Sequence, residues 1–428
     1  MVSSFFFSLE FFRPFCSPSL LFGFLLCLFS HLLIEKKKKK TTKKTRAGSI
    51  YGRNDDAARF NTFCQAASIL LRNHSPWGDN LRPDVVHAHD WQSAPLCFDG
   101  GCGAPSVFTV HNLEFRADLI SRAIAAAAVA TTVSPTYAAE VAGHPAVAPH
   151  LAKLVGVRNG IDTAAWNPAT DPLLPLPYDA GSWRAGKAAA KAALRERLGL
   201  SEGGGGNQPQ HQRRRAAGSD SGHGRDDVPV VGVVSRLTAQ KGIALIKHAA
   251  WRTVERGAQF VLLGSAPDGR VQAEFDALAR DLAAAFPGRS ALRFAFDEPL
   301  SHLIYAGADI ILVPSIFEPC GLSQIIAARC GSLPCVRRTG GLADTVHDCD
   351  DGPGSSAAAA RLPANGYSFE SADAAGVDSA LGRALDDWFD DPGKFEKLVD
   401  NAMGIDWSWA EPCLEYEELY WRAAGSRV

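Results

Sequence analysis

The second half of the chain alternates short apolar runs with segments of helical periodicity, and this alternation restricts the fold more than any other feature. The apolar runs predict strands at residues 228–234, 259–263, 291–296, 310–313 and 333–336, and the segments between them predict helices at 243–256, 270–286 and 301–308. Strands that are each followed by a helix favour a parallel, doubly wound α/β sheet. The chain has 428 residues, of which 46% are hydrophobic, so there is room for two such domains.

The turn after the strand at 310–313 has the residues expected of an anion-binding site. Residues 309–324 read DIILVPSIFEPCGLSQ, in which a strand, a polar turn and the start of a helix follow one another. Such a turn faces the ligand crevice of an open α/β sheet, where backbone N–H groups receive anions. Gly321 would let a phosphate approach the backbone, and Glu318 would accept hydrogen bonds from sugar hydroxyls. Taken alone, these residues equally suit a tight turn with a capping carboxylate.

Two cationic side chains are predicted beside the same crevice. The strand at 228–234 runs into SRLTAQKG, which carries Arg236 and Lys241, and RTGGLAD at 338–344 adds a second glycine turn. A guanidinium and an ammonium facing a glycine turn favour a nucleoside diphosphate with a leaving group as the ligand. No P-loop motif and no strand-to-helix G-x-G-x-x-G is present, which argues against a dinucleotide oxidoreductase. For these two residues alone, surface salt bridges are the simpler interpretation.

Polar residues also end the predicted strands of the first half. Residues 83–91 (PDVVHAHDW) and 105–112 (PSVFTVHN) read as buried strands, and 155–161 (VGVRNGI) ends in another polar turn. The carboxyl ends of parallel strands meet at one edge of a sheet, so these groups are expected to cluster there. A lone histidine would more often be structural, whereas several polar groups at equivalent strand ends favour a functional site. The candidates are His87, His89, Asp90, His111, Asn112 and Asn159.

Charge and cysteine content exclude other classes. The formal net charge is only −2, which predicts no nucleic-acid partner. The ten cysteines include no C-x-x-C pair, which favours reduced thiols and no structural metal.

Residues 181–200 predict a helix whose basic side chains form a solvated face, at Lys187, Lys191, Arg195 and Arg197.

Two segments differ in composition from the rest. Residues 1–46 form an atypical apolar and basic leader, which we expect not to be part of the fold; a signal anchor is the alternative, and a transit peptide fits less well. Residues 201–227 are Gly-rich and polar and predict a flexible low-complexity linker.

Eight motifs together resemble the soluble starch synthases. They are HAHDW at 87–91, FTVHNLEF at 108–115, TTVSPTYAAEV at 131–141, RNGID at 158–162, SRLTAQKG at 235–242, DEPLSHLIYAGAD at 297–309, SIFEPCGL at 315–322 and RTGGLADTV at 338–346. LIKHAAWRTVERG and LLGSAPD are similar to the class III isoform in particular. The match runs from about Tyr51 to the C-terminus, and it identifies the sequence as a member of glycosyltransferase family 5, the starch and glycogen synthase group.

The resemblance implies a GT-B fold, in which two Rossmann-like domains face a crevice, and retaining transfer of glucose from ADP-glucose to the non-reducing end of an α-1,4-glucan. No metal or further cofactor is implied, and the family places the protein in plastids. The implied domains are a partial N-terminal, acceptor-side domain at 47–200, a C-terminal ADP-glucose-binding domain at 228–400, and a closing helix at 401–428 that packs back on the first domain.

Roles follow by similarity for the matching residues. Arg236 and Lys241 would hold the diphosphate and stabilise the charge of departing ADP, while Glu318 would hold the donor. His111 and Asp90 would lie against the glucose and the acceptor. The implied substrate-binding residues are Asn112, Asn159, Phe296 (stacked on adenine), Cys320, Gly321, Leu322, Ser323, Thr339, Gly340 and Gly341.

The sequence departs from broader patterns at two points. Many nucleotide-sugar transferases of this fold carry a second Glu where Ile326 stands, but the starch and glycogen synthases also lack it. Nothing before Tyr51 resembles the family's Lys-x-Gly-Gly-Leu loop, so the first domain is expected to be truncated and the chain to bind ADP but transfer glucose poorly. The alternatives are an active transferase, a regulatory or catalytically impaired glucan-binding paralogue, and, from residues 5–34 alone, a membrane-anchored transferase acting on lipid sugars.

Overall fold

A computed structural model describes residues 53–73, 83–98, 103–201, 227–351 and 362–425. The leader at 1–46 and nearly all of the predicted linker lie outside these residues. The chain divides into two compact units, the first formed by Met1–Asp162 with Trp409–Val428 and the second by Thr163–Ser408. Within the described parts, no helix has the length and apolar character needed to cross a membrane.

The first unit is built on a four-stranded parallel sheet in the order β1-β2-β3-β4. Its strands are β1 (Val86–His89), β2 (Ser106–Val110), β3 (Val129–Thr132) and β4 (Leu154–Gly156). Its helices up to Asp162 are α1 (Asp56–Asn73), α2 (Asp90–Ser93), α3 (Pro95–Phe98), α4 (Ala117–Ala126) and α5 (Pro135–Glu140), followed by a 3₁₀ turn at Ala148–Lys153. Since β2 and β3 are buried along their whole length, both faces of this sheet are covered.

The second unit contains a six-stranded parallel sheet in the order β10-β9-β8-β5-β6-β7. Its strands are β5 (Val230–Arg236), β6 (Gln259–Ser265), β7 (Ser290–Arg293), β8 (Ile310–Val313), β9 (Leu333–Arg337) and β10 (Tyr367–Phe369). Its helices are α6 (Trp183–Leu198), α7 (Ile243–Glu255), α8 (Gly269–Ala285), α9 (Glu298–Gly307), α10 (Ser323–Arg329), α11 (Gly340–Thr345), α12 (Ala374–Asp390) and α13 (Pro392–Gly404). The strand order reverses between β5 and β8, and a ligand crevice is expected outside the carboxyl ends of two such strands.

Helix α6 belongs to the second unit, which corrects the prediction that the first domain extends to residue 200. The prediction of a solvated basic face was also wrong, because Lys187 and Lys191 are buried. The Lys187 ammonium donates to the carbonyl oxygens of Ala306 and Ala308 at 2.9 and 2.7 Å. Lys191 forms an ion pair of 2.9 Å with the buried carboxylate of Asp309. These contacts attach α6 to the second unit, so the units divide after residue 162.

The last described helix, α14 (Ala410–Gly425), returns to the first unit. Leu419 and Ala423 pack with Val107 and Val129 on one face of the first sheet. The predicted closing segment at 401–428 therefore has two parts, because residues up to 408 belong to the second unit and only those from 409 onward belong to the first.

Candidate active site

The turns after β5 and β8 of the second unit are in close contact. Gly242 has a φ of +72°, and a Cβ atom there would lie 2.1 Å from the carbonyl oxygen of Pro314. The backbone N–H of Ile316 donates to the carbonyl of Gln240 at 2.7 Å. Only a glycine therefore lets the segment after β5 approach the turn after β8, and this approach places Lys241 beside Glu318.

Lys241 and Glu318 form a sheltered ion pair at the strand reversal. The Lys241 ammonium donates to Oε2 of Glu318, and the hydroxyl of Ser315 donates to the same oxygen at 2.9 Å. The two charged side chains are only 16% and 8% exposed. The other oxygen, Oε1, has no hydrogen-bond partner among the described residues, so Glu318 retains an acceptor for a ligand. Sequence reasoning did not identify Ser315, although its position directly after the strand and Pro314 was a usable signal.

Arg236 and Phe296 are solvent-exposed at the same edge of the second sheet. Arg236 ends β5, and its guanidinium makes no hydrogen bond or ion pair with any residue that the structure describes. Phe296 is 91% exposed in the turn after β7, which ends at Arg293 rather than at the predicted residue 296. A cation and an aromatic ring that remain available in this way are suited to an anionic, ring-containing ligand.

The two predicted glycine turns interlock. Cβ atoms on Gly340 and Gly341 would lie 2.1 Å from the carbonyl oxygen of Glu318 and 2.0 Å from that of Cys320. The backbone N–H of Gly341 donates to the Glu318 carbonyl at 3.0 Å. Gly321 has a φ of +69°, in the region that favours glycine. The two turns in contact together contain the predicted binding residues Cys320, Gly321, Leu322, Ser323, Thr339, Gly340 and Gly341.

The first unit brings His89, Asp90, His111 and Asn112 together after β1 and β2. Oδ1 of Asp90 accepts the backbone N–H groups of His111 and Asn112 at 2.7 and 3.4 Å. Asp90 itself has a φ of +53°, and burial raises the pKa of its carboxyl group. Oδ1 of Asp90 thus holds the turn that carries His111. Asn159 lies three residues beyond β4, at the same end of the sheet but two strands from β2.

Hydrogen bonds through His87 join α14 to β1 and β2 of the first unit, and a separate contact links His89 to His111. Nδ1 of His87 contacts the Tyr420 hydroxyl at 2.8 Å, and Nε2 contacts the Thr109 hydroxyl at 2.6 Å. Nδ1 of His89 lies 3.1 Å from Nε2 of His111. Burial, followed by repulsion from other histidines, lowers the pKa of His87 to about 3 and that of His89 well below its ordinary value. These buried imidazoles are therefore neutral at physiological pH.

The neutral histidines predict that the first unit loses stability in mild acid. Because the pKa of folded His87 lies below the unfolded value of 6.5, the unfolded chain takes up the proton first as the pH falls. The contribution is complete above pH 6.5 and is lost toward pH 3. We expect each such histidine to remove at most about 2 kcal/mol of unfolding free energy between pH 6.5 and 5. Urea unfolding across this pH range measures the effect.

A pair of variants separates proton uptake from the loss of a hydrogen bond. His87→Gln should reduce the pH slope without abolishing it, because His89 still titrates. Thr109→Val removes the hydrogen bond between Thr109 and Nε2 of His87 but leaves the imidazole in place. It should therefore lower stability equally at all pH values and keep the wild-type slope. An unchanged slope in His87→Gln would show that this imidazole is not the source.

Comparison with known proteins extends these observations to the family level. A family model described as the starch synthase catalytic domain matches residues 30–155, and one described as glycosyl transferases group 1 matches residues 228–387. The soluble starch synthase 3 of Solanum tuberosum is 49% identical over 87% of this chain, although the match spans only 29% of that relative. Glycogen synthase 2 of Methylococcus capsulatus is 36% identical, and the match covers 87% of this chain and 79% of the relative.

Solved structures agree with the predicted fold. The catalytic domain of starch synthase IV from Arabidopsis thaliana, bound to ADP and acarbose, has a TM-score of 0.75 and 38% identity, with 89% of this chain and 80% of that one covered. A sucrose-phosphate synthase from Thermosynechococcus elongatus, at 18% identity and a TM-score of 0.58, covers 90% of this chain and 83% of its own and supports the fold alone. The α/β, GT-B prediction is confirmed. Since relatives at more than 30% identity are covered over two thirds of their length, the chain belongs to the starch and glycogen synthase family of glycosyltransferases.

Proposed function

We propose that this chain transfers glucose from ADP-glucose to the non-reducing end of an α-1,4-glucan, with retention of configuration. The observation that carries this proposal is the group formed by Lys241, Glu318 and Arg236 beside two interlocked glycine turns, at the strand reversal of the second sheet. The relative of known structure with 38% identity was solved with ADP and acarbose, a nucleotide and a sugar ligand of the expected classes.

In the proposed reaction, the bond between glucose C1 and the β-phosphate oxygen breaks, and the 4-hydroxyl oxygen of the glucan bonds to C1. ADP gains negative charge as it departs, and the hydroxyl proton is released. Lys241 and Arg236 would stabilise the charge on the β-phosphate, since cations that are already in place act most strongly where charge develops. Glu318 would keep Lys241 oriented and accept a donor hydroxyl through Oε1.

No metal ion is required by this proposal, because an ammonium and a guanidinium supply the positive charge. Among the described residues, one group with suitable metal-ligand spacing is formed by Asp348, Cys349 and Asp350. Arg383 already contacts the carboxylates of Asp348 and Asp350 at 2.6 and 2.7 Å. A guanidinium in that position opposes a cation, so this group is better explained as a structural ion-pair cluster.

Location is a further part of the proposal. The Solanum tuberosum relative and its Arabidopsis thaliana counterpart are both named as chloroplastic or amyloplastic proteins. We therefore propose a plastid location for this chain.

A binding and transfer experiment tests the proposed function. Calorimetry with ADP should show saturable binding, and incubation with glucose-labelled ADP-glucose and glycogen should give label in ethanol-precipitated glucan. UDP-glucose in a parallel reaction tests the base preference. Absence of ADP binding would overturn the proposal, and ADP binding without incorporation would favour a regulatory paralogue instead.

A further inference from the structure

Gln324 is buried beneath the glycine turns. It is the second residue of α10 and is 1% exposed. Its side-chain Nε2 donates to the carbonyl oxygens of Gly321 at 2.9 Å and Cys320 at 3.3 Å. The same nitrogen contacts the hydroxyl of Thr345 at 3.0 Å. One amide group therefore joins the first turn to α11, the helix that begins in the second turn.

Thr345 extends this connection into the second turn. Its hydroxyl donates to the carbonyl oxygen of Gly341 at 2.6 Å. Gly341 in turn donates its backbone N–H to Glu318. These contacts form a continuous series from Gln324 through Thr345 and Gly341 to Glu318, the residue that pairs with Lys241.

This series of contacts holds the carbonyl groups of both turns toward the protein interior. The carbonyl oxygens of Cys320, Gly321, Gly341 and Glu318 all accept hydrogen bonds from within the second unit. Carbonyl oxygens facing a diphosphate would repel it, whereas carbonyls held inward leave the outer surface to backbone N–H groups. The side chains of Gln324 and Thr345 thus hold three of these carbonyl groups, and the backbone N–H of Gly341 holds the fourth, that of Glu318.

The other end of the Gln324 amide shows that stability alone does not account for this residue. Oε1 is buried and has no hydrogen-bond partner among the described residues. A Cβ atom on Gly321 would lie 2.5 Å from it. A buried acceptor without a donor costs about 1–3 kcal/mol, a cost that an apolar side chain of similar size would avoid. Reversing the amide would place an oxygen against two carbonyl oxygens, so the donors must face the turns.

We infer that Gln324 is a positioning residue, which with Thr345 fixes the two glycine turns in the arrangement that receives the donor diphosphate. The inference deepens the proposed function and assigns these two residues a part in donor recognition through the backbone they hold.

The test uses Gln324→Leu, which keeps the side-chain volume, and Gln324→Glu, which keeps the shape but removes the donor nitrogen. We expect both to weaken ADP binding about 10-fold or more in calorimetry, a change of about 1.4 kcal/mol. The KM for ADP-glucose should rise similarly while the KM for glycogen stays within about 2-fold. Hydrogen exchange without nucleotide should become faster in residues 315–324 and 338–346.

Matched controls are available for both residues. Gln259→Leu removes another buried glutamine, whose Nε2 donates to the carbonyl of Ser201 instead. Thr253→Val matches Thr345→Val, because each threonine is buried and donates to the carbonyl four residues earlier, but only Thr345 contacts Gln324. The controls should lower thermal stability without changing ADP affinity beyond about 2-fold, whereas Thr345→Val should weaken it.

The outcomes separate this inference from the proposed function. If wild type binds ADP and folded Gln324→Leu binds it equally well, the inference is overturned and the proposed function stands. If wild type binds no ADP, the proposed function fails. The hydrogen-exchange experiment then still tests whether Gln324 positions the two turns. Faster exchange of both turns in Gln324→Leu, but not in Gln259→Leu, supports the positioning role, and unchanged exchange refutes it.

Discussion

Replacing Lys241 by glutamine should lower the rate of the proposed glucose transfer by about 10²–10³-fold, the effect typical of losing one group that stabilises developing charge. The ammonium is sheltered from water, so its interaction with the departing phosphate is screened less than that of a surface lysine. The measurement is the initial rate at saturating glycogen with varied ADP-glucose, and we expect the loss to lie mainly in kcat.

Three further variants make the Lys241 result specific. Lys247→Gln breaks a lysine–glutamate pair of 2.6 Å with Glu274, which is more exposed, and should keep the wild-type rate. Glu318→Gln and its combination with Lys241→Gln both lack the carboxylate, so a further loss of activity from the first to the second reports Lys241 and not a buried unpaired charge. A rate within about 3-fold of wild type in folded Lys241→Gln would remove this lysine from the proposed chemistry.

Gly341→Ala should weaken ADP binding by about 10-fold or more, because the added methyl group displaces the two turns that receive the diphosphate, and it should also lower stability by about 1–3 kcal/mol. The added methyl would lie 2.0 Å from the carbonyl oxygen of Cys320, and neighbouring atoms at this point belong to the backbone, so the two turns must separate. Calorimetry with ADP and a thermal unfolding curve measure the two consequences together.

Gly269→Ala is the matched control for Gly341→Ala. It is the first residue of α8, and no heavy atom lies within 4 Å of the position that its Cβ would take. ADP affinity should stay within about 2-fold, and stability should be equal or slightly higher, because alanine favours helix. Equal ADP affinity in the two variants would mean that the contact between the turns is not needed for binding.

The sequence was most informative where short apolar runs are separated by turn residues. The strand predicted at 310–313 is found at Ile310–Val313, and the glycine turns adjoin as the strand order requires. The sequence is less informative in the Ala-rich segment after residue 120. There α4 ends at Ala126, and the strand Val129–Thr132 begins soon afterwards. A run of alanines carries neither a helical nor an alternating pattern, so the sequence does not show where the helix ends and the strand begins.

Contacts between distant segments were the part that could not be predicted. The periodicity of residues 181–200 predicts a helix but not which sheet it covers, because the acceptors of Lys187 lie more than a hundred positions away. The candidate site shows the same limit. Glu318 and Lys241 were both identified as site residues, yet their pairing and the burial of Gln324 depend on two turns meeting in space.

The return of α14 to the first unit has a consequence for biosynthesis. During translation, residues 163–408 are added to the chain before the helix that covers Val107 and Val129. That apolar surface stays uncovered while the later unit is already able to fold, and exposed surface of this kind promotes aggregation of nascent chains. A premature stop shortly before residue 410 should therefore leave this apolar surface exposed and yield insoluble product.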